Sequence, residues 1–134
     1  STQAKTLFPY TTLFRSRTCP TFRPKGVHKN DSQPLPAYTR GMEVRELIET
    51  HWVPRLEEFK PEMIFISAGF DAHREDDMGQ MGLTEQDYSW ITYRLRDIAG
   101  RHAQGRIVSC LEGGYDLSSL SRSVEAHLRV LADI

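Results

Sequence analysis

Two short segments carry the side chains best suited to chemistry, ISAGFDAH (Ile66 to His73) and CLEGGYD (Cys110 to Asp116). Each follows an apolar run that reads as a strand, and each sets one distinctive group a few residues beyond it, Asp71 in the first and Tyr115 in the second. A carboxylate at a strand exit can bind a divalent metal, work as a base, or simply cap its own turn. Gly69, just before Asp71, tolerates unusual backbone angles. Gly113 and Gly114 let the backbone approach a ligand closely, and the Tyr115 phenol after them can donate a hydrogen bond. The plainer alternative there is a tight turn with an aromatic plug. If the two strands are parallel neighbours, both side chains leave the sheet at its carboxyl end, where ligands of open parallel sheets collect.

Hydrophobic spacing sets the elements that must hold these loops. Met42 to Phe59 places Val44, Leu47, Ile48, Trp52, Leu56 and Phe59 near helical spacing, which predicts one helix with Pro54 as a kink or an early stop. MIFIS (Met63 to Ser67) is a short apolar run suited to a strand buried on both faces. A loop rich in Asp and Gly then runs to Gly82. Thr84 with Asp87 resembles a capping box, and Trp90, Ile91, Leu95, Ile98 and Ala99 carry a helix toward Ala103. Gly105 ends it, and RIVSCL (Arg106 to Leu111) predicts a second buried strand. Ser118 or Ser119 is expected to cap a last helix on which Leu120, Val124, Leu128 and Leu131 share a face. Helices alternating with strands predict an α/β chain whose parallel sheet is covered on both sides.

Composition narrows the partners. The 134 residues, 39% of them apolar, suffice for one core, so the chain is one domain or part of one. A formal charge of −1 supplies no basic stripe for nucleic acid or an anionic membrane surface. Neither a membrane span nor a secretory signal is legible, which leaves a cytoplasmic protein as the expectation. Cys19 and Cys110 stand far apart, and Cys110 lies inside an apolar run, so a buried free thiol is expected there. The segment TLFPYTTLFRS (Thr6 to Ser16) resembles the conceptual translation of a sequencing-adapter oligonucleotide, and Arg17 to Gln33 has neither helical nor strand period. Residues 1–33 are therefore expected to be artefactual or disordered, with the folded part over residues 34–134.

Taken together, ISAGFDAHREDDMGQMGLTEQDY (Ile66 to Tyr88) and GRIVSCLEGGYDLSSLSRSVEAHLRVL (Gly105 to Leu131) resemble the C-terminal part of the zinc-dependent histone deacetylase family. The bacterial class II-like branch, with its acetoin-utilization and acetylpolyamine amidohydrolase relatives, is the nearest in pattern. The likeness begins near Pro34, at PLPAYTRG, and runs to the C-terminus. It implies a partial three-layer α/β/α arginase/deacetylase-like fold with a parallel sheet, and Zn2+ as cofactor. By position, Asp71 matches the second aspartate of the family's Asp, His, Asp zinc site. Tyr115 matches the tyrosine that hydrogen-bonds the substrate carbonyl and then the oxyanion. Gly113 and Gly114 match glycines lining the acyl-lysine channel, and Met78 falls at the channel rim, where DDMGQ replaces the more usual DPL. The implied reaction is hydrolysis of an N-acetyl amide in acetyl-lysine or an acetylpolyamine-like small substrate.

The sequence also departs from that pattern. A catalytic zinc normally takes three protein ligands and keeps a fourth position for water. The family's other two ligands lie in an upstream Asp-x-His segment and its base in an adjacent histidine pair, and neither motif is present. The five histidines are His28, His51, His73, His102 and His127, no two adjacent. His73 imitates a ligand in the triplet Asp71-Ala72-His73, but the family does not use that position, and local hydrogen bonding is expected instead. His51, His102 and His127 are expected at the surface or at boundaries. The expectation is thus the C-terminal portion of a deacetylase, with an incomplete zinc site and no turnover alone. The rival readings are a non-catalytic relative that binds acylated ligands, and a nucleotide-binding module with a phosphate over Gly113 and Gly114, although G-x-G-x-x-G is missing.

Overall fold

The computed structural model describes Lys5–Thr6, Thr11–Phe14 and residues 34–134. The expected disorder of residues 17–33, with Cys19 and His28, lies outside the described residues.

The sheet is built where the β-branched and aromatic run demands it. Strands are β1 (Lys5–Thr6), β2 (Thr11–Phe14), β3 (Pro34–Leu35), β4 (Met63–Ala68) and β5 (Ile107–Leu111). β4 and β5 pair in parallel, from Ile64 opposite Ile107 to Ala68 opposite Leu111. β2, in the adapter-like segment, pairs antiparallel with the other edge of β4, and β1 pairs with β3. The order of the larger sheet is therefore β2-β4-β5.

Among the described residues four α-helices support it: α1 (Gly41–Leu47), α2 (Val53–Phe59), α3 (Glu85–His102) and α4 (Leu117–Ala132). The single helix expected over Met42 to Phe59 is divided by a π-helical turn at Ile48–Trp52. Pro54 explains the division. It has no N–H to donate and its ring crowds the preceding turn, so the backbone widens ahead of it and the Val53 N–H reaches back to the Ile48 carbonyl. The inward spacing survives: Val44, Ile48 and Leu56 are buried.

α3 starts as its sequence dictates. The Asp87 carboxylate accepts the Thr84 backbone N–H at 2.9 Å and also pairs with Arg45 of α1 at 2.7 Å. Ile91, Leu95, Ile98 and Ala99 turn inward onto Ile64, Ile66 and Ala68 of β4, together with Met81 and Leu83 from the loop between them. These contacts form the core.

Three expectations are corrected. β4 is not buried on both faces: Ile64, Ile66 and Ala68 are buried, while Met63, Phe65 and Ser67 are only partly covered. β5 is more open still, with Val108, Cys110 and Leu111 exposed, so the thiol of Cys110 is not buried. The cause is that no described residue covers the outer face or the free edge of β5. On α4 the buried stripe is Ser119, Ser123 and His127 rather than the leucine face, with Leu120 and Val124 only half-buried and Leu128 exposed. Small side chains at a spacing of four residues let α4 lie close to α3, which pushes its leucines to the flank.

Candidate active site

The sheet register brings the two strand exits side by side. Ala68 accepts the Glu112 N–H at 3.0 Å, and two residues on the Phe70 N–H reaches the Gly113 carbonyl at 2.9 Å. The ladder thus runs past the strands and zips the two loops together. A Cβ on Gly113 would sit 2.9 Å from Oδ1 of Asp71, which places the partly buried carboxylate against the first glycine of the second loop. Gly114 adopts φ +132°, and a Cβ there would meet Leu120 at 2.6 Å, so this glycine is needed for both its backbone angle and its close packing.

The long loop after Asp71 folds back on itself. A Cβ on Gly79 would lie 1.7 Å from the Asp71 carbonyl oxygen. His73 and Leu83 form a bridge, with the Leu83 N–H donating to Ala72 at 3.1 Å and the Arg74 N–H to Leu83 at 2.8 Å. Tyr88, at the start of α3, donates its phenol proton to the Phe70 carbonyl at 2.9 Å. Burial, reinforced by the carboxylates of Asp71, Asp76 and Asp87, drives that phenol's pKa well above the ordinary tyrosine range, so it stays a donor.

Tyr115 itself stands at the surface, just after the two glycines. It is 61% exposed, directly before Asp116, which caps α4 by accepting the Ser119 N–H at 2.7 Å. This corrects the expected cap at Ser118 or Ser119, since a carboxylate is the stronger acceptor at the positive end of a helix. Met78 is also exposed.

Sequence reasoning missed Asp76. Its carboxylate is buried and accepts the backbone N–H groups of Tyr115 at 2.6 Å, Asp116 at 3.1 Å and Met78 at 2.9 Å. Burial opposes its ionisation, but those N–H groups outweigh burial and hold its pKa below the ordinary aspartate range. His127, expected at the surface or at a boundary, lies at the boundary of α4 with α3 and β5 and not at the surface. It is buried between Thr92, 2.7 Å from Nδ1, and Ser109, 2.9 Å from Nε2. Thr92 gives its own proton to the Tyr88 carbonyl, so it accepts from Nδ1–H, leaving Nε2 to accept from Ser109. Burial lowers the pKa of His127, in keeping with this neutral ring.

His73 is fully buried and bonds locally, its Nδ1 accepting the Glu75 N–H at 3.1 Å. Its Nε2 lies 3.4 Å from Oε1 of Glu85, too long for a good hydrogen bond. Arg122 binds that same Glu85 and, first among the causes, holds its pKa down to about 2. His102 pairs with Glu57 at 2.6 Å at the α2–α3 boundary, and His51 is exposed.

A zinc site needs about three protein ligands. Among the described residues no three His, Cys, Asp or Glu side chains cluster so as to hold a metal, and Asp71 is one carboxylate. The described residues therefore do not complete such a site.

The sequence profile of the histone deacetylase domain matches residues 2–131. The chain is 45% identical over 84 residues to the type-2 histone deacetylase 2 of Dictyostelium discoideum, covering 60% of this chain and 5% of that protein. It is 44% identical over 77 residues to a protein named probable deacetylase in Methanothermobacter thermautotrophicus, covering 57% of this chain and 22% of that one. The crystal structure of the HDA15 HD domain superposes with a TM-score of 0.66 at 33% identity, over 72% of this chain and 26% of that one. This chain belongs to the histone deacetylase domain family, and its described residues form a partial α/β fold of that type.

Proposed function

We propose that this chain carries the C-terminal part of the active site of a zinc-dependent amidohydrolase that removes acetyl groups from acetyl-lysine or related N-acetyl amines in the cytoplasm. The observation that carries this reading is the meeting of two strand exits, the Asp71 carboxylate pressed on Gly113 two residues before Tyr115. In this reading Tyr115 donates its phenol proton to the oxyanion that develops as an acetyl amide is attacked. Asp71 supplies one carboxylate of the metal site, and Gly113, Gly114 and Met78 flank the bound acyl chain. Residues 34–134 hold every one of these groups. Because the described residues hold no three-ligand cluster, the chain alone is expected to show no turnover.

The second reading is a family member that binds acylated ligands without hydrolysing them. A phosphate over the glycine turn is disfavoured, because the N–H groups of Tyr115 and Asp116 already serve the Asp76 carboxylate and an anion there would face two carboxylates. The test is a chimera in which the stretch shared with the Methanothermobacter relative is replaced by this chain's residues. It is expected to hydrolyse an acetyl-lysine peptide, and Tyr115→Phe to lower kcat on the order of 10² to 10³, the usual loss for one oxyanion donor. A folded, metal-loaded chimera with no hydrolysis would leave the binding reading standing instead.

A further inference from the structure

Asp76 is a buried carboxylate with no ion-pair partner among the described residues, 3% exposed, and its three hydrogen bonds all come from backbone N–H groups. One comes from its own loop, Met78. The other two come from the neighbouring loop and are consecutive, Tyr115 and Asp116. A buried charge is costly unless its lone pairs are satisfied, so the fold of the first loop is stable only while the GGYD turn keeps those two N–H groups aimed at Oδ2. The turn needs such a constraint. Two glycines precede Tyr115, one at φ +132°, and the exposed phenol forms no hydrogen bond among the described residues. Among the described residues no hydrogen bond holds the Tyr115 phenol, whereas its backbone N–H is held by Asp76.

We propose that Asp76 is the positioning residue for Tyr115, clamping the backbone of the GGYD turn so that the phenol is presented at a fixed place beside Asp71. The catalytic consequence rests on the function proposed above, while the clamp itself does not. The chemistry of the clamp requires a carboxylate. Both oxygens of Asp76 accept from N–H groups, so an asparagine would point its NH₂ at a backbone N–H in either orientation of its amide.

The experiment uses the full 134-residue chain. In Asp76→Asn the amides of Tyr115 and Asp116 are expected to exchange with solvent roughly tenfold faster or more, as loss of a charge-assisted hydrogen bond implies, with the amides of Ile98 and Ala99 in α3 unchanged. In the unmodified chain the amide proton resonances of Met78, Tyr115 and Asp116 are expected to share one acid titration that disappears in the variant. Asp116 is the carboxylate facing Asp76, and its own titration is followed at the Ser119 amide. Unchanged exchange at Tyr115, or separate midpoints for the three amides, overturns the proposal; the titration decides even where Asp76→Asn does not fold. In the chimera, Asp76→Asn is expected to lower kcat with KM unaltered. An active chimera indifferent to Asp76 removes the positioning role, whereas an inactive chimera whose clamp behaves as described removes only the deacetylase reading.

Discussion

The glycines of this chain separate into those that bear on the site and those that do not. Gly100 lies in α3, where an added methyl would meet nothing within 4 Å, whereas a methyl on Gly113 meets the Asp71 carboxylate at 2.9 Å. Gly100→Ala is expected to raise stability by about 0.5 to 1 kcal/mol through helix propensity. Gly113→Ala is expected to lower stability, because the carboxylate must move away from the turn. Paired chemical-denaturation curves check both signs. The placing of Asp71 and Tyr115 at neighbouring strand exits was legible in the sequence, because each follows a short apolar run that reads as a strand. Asp76 was not, because it sits in the acidic run Glu75-Asp76-Asp77, and residue type does not say which of three neighbouring carboxylates turns inward. Only the fold shows that Glu75 and Asp77 are exposed and Asp76 buried.

Among the elements, α4 is tied to its neighbours by a polar relay: Ser109 of β5, His127 of α4 and Thr92 of α3, ending on the Tyr88 carbonyl. The ring must stay neutral to serve both partners. Folding lowers the pKa of His127 while the unfolded chain takes its proton near pH 6.5, so between the two values the unfolded state binds more protons. Stability is therefore expected to be full above about pH 6.5 and to fall as the pH drops below it. Thermal unfolding from about pH 7 to about pH 5 should show this slope, and His127→Gln should flatten it. The helices α3 and α4 and the strands β4 and β5 were legible to within a few residues because their periods are strong. The buried face of α4 was not, because hydrophobicity points to the leucines, whereas close contact between two helices rewards small and hydrogen-bonded groups. The π-helical turn was foreshadowed only by Pro54.

Across the whole molecule, the sheet ends in an open strand. β5 pairs only with β4 among the described residues and exposes Val108, Cys110 and Leu111, while β2 covers the opposite edge of β4. Deleting residues 1–33 uncovers that second edge. The shortened chain is expected to keep its helical circular dichroism, to melt at a lower temperature and to self-associate more, since unpaired strand edges template further pairing. Light scattering against concentration measures the difference, and equal scattering by both chains would show that β2 protects nothing. The three-stranded order was not legible, because β2 lies in the adapter-like segment Thr6 to Ser16, which was excluded from the reading of the fold. The parallel pair was, because its two apolar runs are separated by a capped helix.

The backbone bond from Phe70 to the Gly113 carbonyl makes the two loops of the site one mechanical object. A ligand, an inhibitor or a crystal lattice that tugs on either strand exit drags the other with it, so adaptation to ligands of different girth has to come from side chains around the exits and not from the exits parting.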